Sequence, residues 1–314
     1  MKKLTKAGIA GFLFALTATI AGCGSSASTS DTTLAVEATE ASQTYPVTVG
    51  DLTLNAQPMR IISLSPTSTE MLYAIGAGAQ VIAVDEYSNY PAEAVALGTA
   101  LSGFEPNIEA ISGFTPDLVI ASYDPGSLAQ QLGALNIPLF IADAATSLDS
   151  VYEQIQQIGM LTGHVAQADE LTATIQTEID AAVSAVTVPT TALSYYYELD
   201  NTYYSATSNS FIGQLFNLFG LRNIADTAEA GSDYPQLSAE AIVSSNPDII
   251  FLADTKFSAQ SAETVAARDG WGGMAAVVSG NIALLDDDIA SRWGPRIVEL
   301  VVAIGEAITK ASTK

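Results

Sequence analysis

Residues 107–120 read NIEAISGFTPDLVI, and residues 238–251 read SAEAIVSSNPDIIF. In each stretch an Asn or Ser suited to capping a helix comes two residues before a glutamate, Glu109 or Glu240, and a Pro-Asp pair with an apolar run follows. This pattern predicts a helix and then a buried strand. Because one helix–strand unit occurs twice, we predict two similar lobes, related by an approximate twofold axis, with a ligand cleft between them.

Other short apolar runs continue this alternation of strands and helices along the chain. The predicted strands are residues 60–64, 81–84, 117–121, 138–142, 192–198, 248–253 and 281–285. Continuous apolar runs of this length, separated by helical segments, indicate parallel strands that are buried on both faces. Helices are predicted at residues 66–76 and 295–308, each beginning at a proline.

A long helical segment separates the two sets of strands. Residues 165–186 contain neither Gly nor Pro and carry Ile and Val at four-residue spacing. The predicted fold class is therefore α/β, with two Rossmann-like lobes that each contain a parallel sheet. We assign residues 46–164 to the N-terminal lobe and residues 188–314 to the C-terminal lobe, joined by a single long α-helix over residues 165–187.

The first residues have the pattern of a bacterial secretion signal. Lysines precede an apolar run over residues 7–21, which is short for a membrane span and ends in Ile-Ala-Gly-Cys. Small residues before the only Cys resemble the lipobox of bacterial lipoproteins. We expect a signal peptide over residues 1–22, a lipid on Cys23 and a flexible linker over residues 23–45, which would tether the protein outside the cytoplasmic membrane. A transmembrane anchor or a free thiol is the alternative.

Composition excludes several functions. The chain has 11 Lys and Arg against 34 Asp and Glu, and a surface of net charge −23 does not hold a nucleic-acid backbone. One Cys excludes a disulfide within the chain, and one His excludes a zinc site of several histidines. With Cys23 assigned to lipid and His164 lacking a partner motif, we predict neither an enzyme nor a metal site. The aspartates at 286–288 are predicted to form a solvated loop, with a cation site as the alternative.

Four segments resemble the class III substrate-binding proteins of ABC importers. They are residues 60–70 (RIISLSPTSTE), 87–91 (YSNYP), 109–120 (EAISGFTPDLVI) and 288–296 (DIASRWGPR). The resemblance implies two lobes around a rigid helix and delivery of vitamin B12, a ferric siderophore or haem to a permease dimer with a cytoplasmic ATPase. It also implies that Glu109 and Glu240 pair with permease arginines. The alternative is that both carboxylates only stabilise the helix N-termini.

Aromatic and polar side chains are the candidate ligand contacts. The predicted ligand-binding residues are Tyr87, Phe104, Tyr123, Tyr204, Tyr234, Asp288, Arg292 and Trp293. Aromatic walls suit a large flat ligand, although each ring could instead belong to the core. The resemblance implies cleft positions for Tyr87 and Tyr234, and a polar pair beside the ligand for Asp288 and Arg292.

The ligand class follows from charge and from the resemblance. The expected ligand is a cobalamin-type corrinoid or a ferric hydroxamate-type siderophore, because a trianionic catecholate complex would need more arginines than this chain has. Gly103 and Ser122 stand where the B12 binders would have Trp, which weakens the corrinoid assignment. Haem, with a Tyr as axial ligand, and free Mn²⁺ or Zn²⁺ are the alternatives. We expect a monomer with no cofactor of its own.

Overall fold

The structure, a computed structural model, describes residues 43–228 and 231–313. The predicted signal peptide of residues 1–22, the predicted lipidation site Cys23 and most of the predicted linker lie outside these residues. In the described part of the chain, no helix has the length and apolar character needed to cross a membrane.

The N-terminal lobe is built on a sheet of four parallel strands. Its strands are β1 (Val47–Val49), β2 (Leu52–Leu54), β3 (Ile61–Leu64), β4 (Val81–Val84), β5 (Leu118–Ala121) and β6 (Leu139–Ile141). β1 and β2 form an antiparallel hairpin, and the other four form the parallel sheet in the order β4-β3-β5-β6. Its helices are α1 (Pro66–Ala74), α2 (Ala92–Val95), α3 (Ile108–Gly113), α4 (Leu128–Ala134) and α5 (Leu148–Thr162).

The helix α6 (Val165–Ser184) carries the chain from the first sheet towards the second. Gly163 follows the last residue of α5 as its C-cap, with a φ of +80°, the left-handed conformation that favours glycine, and α6 begins two residues later. Ile175 and Ile179 are buried on one face of α6, as their spacing predicts. α6 packs against α5 along this passage.

The C-terminal lobe repeats the architecture of the first. Its strands are β7 (Ser194–Glu198), β8 (Arg222–Asn223), β9 (Ile249–Leu252) and β10 (Ile282–Leu284). They form a parallel sheet in the order β10-β9-β7-β8. Its helices are α7 (Phe211–Asn217), α8 (Ala239–Ser245), α9 (Ala262–Ala266), α10 (Ala275–Val278), α11 (Asp287–Ala290) and α12 (Ile297–Ser312). α12 packs against α6.

The internal repeat forms equivalent units in the two lobes. Asn107 caps α3 by accepting the Ala110 N–H at 3.0 Å, and Ser238 caps α8 by accepting the Ala241 N–H at 3.1 Å. The strands that follow, β5 and β9, are interior strands of their sheets. The predicted α/β fold class with two parallel sheets is confirmed. One buried apolar cluster includes residues of both sheets and of α12, so the two lobes share a core.

Candidate ligand cleft and lobe interface

Three predicted aromatic residues form a row on the N-terminal lobe. The Tyr87 ring meets the Phe104 ring edge-on, with 5.6 Å between centroids, and Phe104 lies 6.4 Å from Tyr123. Tyr87 follows β4 and Tyr123 follows β5, at the carboxyl ends of parallel strands, where ligands of open α/β sheets bind. Phe104 is 62% exposed, an unusual state for so large an apolar side chain. We call Tyr87, Phe104 and Tyr123 the aromatic row.

Two further predicted aromatics lie on the C-terminal lobe. Tyr204 and Tyr234 are both exposed, and the ring contacts of the aromatic row do not extend to them. Tyr204 follows β7, and its carbonyl accepts the N–H of Leu199. Burial and the charge of Asp233 raise the pKa of Tyr234 above its ordinary value.

Phe257 is an exposed aromatic side chain that the sequence analysis missed. It is 78% exposed and follows β9. The backbone N–H groups of Lys256 and Phe257 both donate to Asp287 Oδ2, at 2.8 and 2.9 Å, so the loop that carries the ring is held in place. The repeat did not mark this residue, because the residue of the second copy that corresponds to Tyr123 is Asp254.

The predicted polar pair Asp288 and Arg292 joins the two lobes. Arg292 Nη2 lies 2.9 Å from Asp288 Oδ1 and donates to the carbonyl of Tyr87 in the other lobe at 3.0 Å. Asp288 Oδ2 accepts from Asn89 of the N-terminal lobe and from Lys256. Although burial opposes the change, the hydrogen bond from Lys256 and the charge of Arg292 hold the pKa of Asp288 below its usual range.

A buried glutamate completes this contact between the lobes. Glu70 Oε1, in α1, accepts from Arg292 Nη1 at 2.8 Å and from Arg296 Nη2 at 2.6 Å, and Oε2 accepts from Arg296 Nε at 2.9 Å. Glu70 is 3% exposed and Arg292 8%. The Arg296 guanidinium also lies 4.3 Å from the centre of the Tyr90 ring. We call Glu70, Asp288, Arg292 and Arg296 the lobe bridge.

Trp293 lies beside the lobe bridge and binds a protein group. Its indole N–H donates to Gln154 Oε1 in α5 at 3.0 Å, and its half-buried ring packs against the shared core. This hydrogen bond joins the segment before α12 to α5. The structure does not bring Trp293 into the ring contacts of the aromatic row.

The two repeated glutamates are exposed at equivalent places. Glu109 lies in the first turn of α3 and Glu240 in the first turn of α8, as the capping residues predict. A carboxylate there faces the positive end of the helix dipole. Both carboxylates are therefore accessible to solvent.

Two aspartates are buried at the carboxyl ends of strands. Burial raises the pKa of Asp85, after β4, to about 6, opposed by the hydrogen bond that its Oδ1 accepts from the Tyr87 N–H at 2.9 Å. Burial also raises the pKa of Asp254, after β9, to about 6; the charge of Glu198 adds to this and that of Arg268 opposes it.

The carboxylates that could suit a cation bind protein groups. Among the described residues, no set of three or more His, Cys, Asp or Glu side chains is arranged to hold a metal ion. Asp286 and Asp288 accept from Lys256 Nζ, while Asp287 accepts from Thr255 and two backbone N–H groups. The aspartate run thus organises the loop after β9 and the start of α11.

The profile of a family described as periplasmic binding protein matches residues 61–289. The chain belongs to the periplasmic binding protein family. This confirms the predicted resemblance to the substrate-binding proteins of ABC importers. Since the family consists of solute-binding proteins, it also confirms a binding function outside the cytoplasm and not an enzymatic one.

Relatives of this periplasmic binding protein agree with the assignment. An uncharacterized ABC transporter substrate-binding lipoprotein of Bacillus subtilis, YvrC, is 30% identical, covering 98% of each chain. A cobalamin-binding protein of Halobacterium salinarum is 32% identical over 84% of this chain and 74% of its own. The crystal structure of the vitamin B12 binding protein BtuF of Vibrio cholerae has a TM-score of 0.67 at 24% identity over 82% of this chain and 99% of its own, which shows the shared fold.

Proposed function

We propose that this protein captures a large metal chelate of low charge, a corrinoid or a ferric hydroxamate-type siderophore, and delivers it to an ABC permease dimer. The observation that carries the proposal is the aromatic row, which exposes three rings side by side at the carboxyl ends of β4 and β5. Aromatic faces gain the most by covering a broad apolar surface. The cobalamin-binding relative supports the corrinoid class.

The charges of the lobe bridge and of Lys256 support a ligand of low charge. Arg292 and Arg296 are paired with Glu70, and Lys256 is paired with Asp286 and Asp288. A cation already neutralised by a carboxylate has little attraction left for a trianionic complex. A catecholate-type chelate would therefore have to break existing ion pairs to gain a partner.

Further arginines are also bound or lie on the surface. Arg268 is paired with Glu198, and Arg60 donates to the carbonyls of Phe114 and Thr115. Arg222 is exposed in β8, at the edge of its sheet. This distribution favours a neutral chelate.

Titration of the purified protein with candidate ligands tests the ligand class. Cyanocobalamin and a ferric hydroxamate chelate are compared with haemin, a ferric catecholate chelate, Mn²⁺ and Zn²⁺, with visible absorption and intrinsic fluorescence as readouts. We expect saturable binding of one of the first two. Phe104→Ala should weaken it about tenfold because a stacking face is lost, whereas Val278→Ala, at an exposed site on α10, should leave it unchanged. Saturable binding of haemin, or of a bare ion alone, would replace the proposed ligand class.

We propose that Glu109 and Glu240 dock the protein onto arginines of the two permease subunits. Equivalent exposed carboxylates on two similar lobes suit a partner that is itself a dimer. Uptake of the bound chelate by cells that carry Glu109→Gln with Glu240→Gln should fall at least about tenfold, while ligand affinity stays unchanged. Glu178→Gln with Glu306→Gln, at exposed sites on α6 and α12, is the matched control. Normal uptake by the docking variant would refute this role.

We further propose that Cys23 carries the lipid that holds a monomeric protein at the membrane. The lipobox-like residues 20–23 and the lipoprotein name of the Bacillus relative support this. Fractionation of the same cells provides the check, since Cys23→Ser should release the protein from the membrane fraction. Retention of Cys23→Ser in that fraction would contradict lipid anchoring.

A further inference from the structure

The backbone of Tyr87 is held from both lobes at once. Its N–H donates to Asp85 Oδ1, within the N-terminal lobe, at 2.9 Å. Its carbonyl accepts from Arg292 Nη2, which belongs to the C-terminal lobe, at 3.0 Å. Since these bonds fix the peptide groups on both sides of the residue, they also restrict the directions in which the Tyr87 ring can point.

Arg292 can hold this carbonyl because its own guanidinium is fixed. Glu70 accepts from Nη1 at 2.8 Å, and Asp288 accepts from Nη2 at 2.9 Å. Glu70 and Arg292 are both buried, where charge-assisted hydrogen bonds are short and directional. A carboxylate of the N-terminal lobe therefore orients an arginine of the C-terminal lobe, which in turn holds a residue of the N-terminal lobe.

We propose that Glu70 and Arg292 are positioning residues that lock the two lobes together and thereby set Tyr87 within the aromatic row. The ligand-binding part of this proposal rests on the proposed function, whereas the locking of the lobes does not. The Tyr87 ring meets Phe104 edge-on, so a shift of the 85–88 backbone would disturb the surface offered to a ligand. Arg292 thus influences ligand binding through the position of Tyr87. Its hydrogen bonds to Glu70 and to the Tyr87 carbonyl cross the interface between the lobes.

The chain contains a matched control for this role. Glu198, also fully buried, accepts two hydrogen bonds from Arg268, each at 2.6 Å. Both partners belong to the C-terminal lobe, so the pair does not cross the lobe interface. Glu198→Gln removes a buried carboxylate as Glu70→Gln does, but it leaves every bond of the lobe bridge in place.

The distance between the lobes is the first readout. Spin labels are attached at Val95→Cys and Val278→Cys, two exposed sites on opposite lobes, with Cys23→Ser removing the native thiol. Pulsed electron resonance then gives the inter-lobe distance distribution. We expect Glu70→Gln to broaden or shift this distribution and Glu198→Gln to leave it as in the unchanged protein. An unaltered distribution in Glu70→Gln would overturn the lobe lock.

Ligand affinity is the second readout, with cyanocobalamin and a ferric hydroxamate chelate as probes. Glu70→Gln should weaken binding about tenfold, and Glu198→Gln should lower thermal stability without weakening binding. Arg292→Lys lacks the planar guanidinium that reaches three acceptors, so we expect it to weaken binding as well. Because it keeps the positive charge, its loss of affinity should be smaller than that of Glu70→Gln. Equal losses in Glu70→Gln and Glu198→Gln would overturn the positioning role. Failure of the unchanged protein to bind either probe would refute the proposed ligand class, while the distance readout still decides the lobe lock.

Discussion

Glu70 and Glu198 are both buried and both bind arginine, yet their partners come from different parts of the molecule. Glu198, at the end of β7, binds Arg268 through two parallel hydrogen bonds inside one lobe. The Arg268 guanidinium also lies 4.5 Å from the centre of the Trp271 ring. Glu70 instead receives Arg292 and Arg296, both from the opposite lobe.

The difference shows that one interaction can stabilise a lobe in one place and relate two lobes in another. A buried ion pair adds little net stability over an apolar replacement, because desolvation of the charges offsets their attraction. Its hydrogen bonds, however, require both partners to be in defined positions. The Glu198–Arg268 pair therefore restricts the packing around β7, whereas the Glu70 pairs restrict the arrangement of the two lobes.

The largest expected loss of stability comes from removing the Glu198–Arg268 pair inside the C-terminal lobe. Glu198→Ala leaves Arg268 with Gln260 Oε1 and the Trp271 ring but without its ion-paired carboxylate, and we expect the free energy of unfolding to fall by about 3–5 kcal/mol. Glu70→Ala should cost less, about 2–3 kcal/mol, because Arg292 keeps Asp288 and Arg296 keeps the Tyr90 ring. Urea denaturation followed by circular dichroism measures both. A greater loss in Glu70→Ala than in Glu198→Ala would reverse this comparison.

Local patterns account for what the sequence could predict. Helix capping acts within one turn, so Asn107 and Ser238 sufficed to place Glu109 and Glu240. Buried parallel strands leave continuous apolar runs, and for this reason the predicted runs at 117–121 and 248–253 include β5 and β9. The two-residue strand β8 leaves too little pattern to detect, whereas the three-residue strands β6 and β10 lie within longer predicted runs.

Contacts between distant segments could not be predicted in the same way. Glu70 and Arg292 lie 222 residues apart, and no local spacing joins them. The resemblance to the substrate-binding proteins did suggest a polar pair at Asp288 and Arg292, and the structure shows an ion pair between them. Arg292 also donates to the Tyr87 carbonyl. This contact depends on how the two lobes pack, and a sequence motif does not specify that packing.

Asp254 adds a second difference between the two buried pairs. It is 2% exposed, lies near Glu198 and Arg268, and neither of its carboxylate oxygens has a hydrogen-bond partner among the described residues. The pair inside the C-terminal lobe thus has a buried carboxylate beside it that is costly to ionise. Near the lobe bridge, Asp85 has a similar pKa but accepts the Tyr87 N–H.

The smaller expected effect is a pH dependence that Asp254→Asn removes. The pKa of Asp254 is raised from 3.8 to about 6 in the folded protein, so above pH 6 the ionised carboxylate destabilises the fold, and protonation relieves this as the pH falls towards 4. Asp254→Asn should therefore be more stable than the unchanged protein by about 1–3 kcal/mol at pH 7.5, with the difference changing progressively between pH 7 and pH 4. Asp85 is present in both proteins, and its own titration cancels when their unfolding free energies are subtracted. A difference that stays constant from pH 4 to pH 8 would show that the Asp254 carboxyl does not titrate against the charges of Glu198 and Arg268.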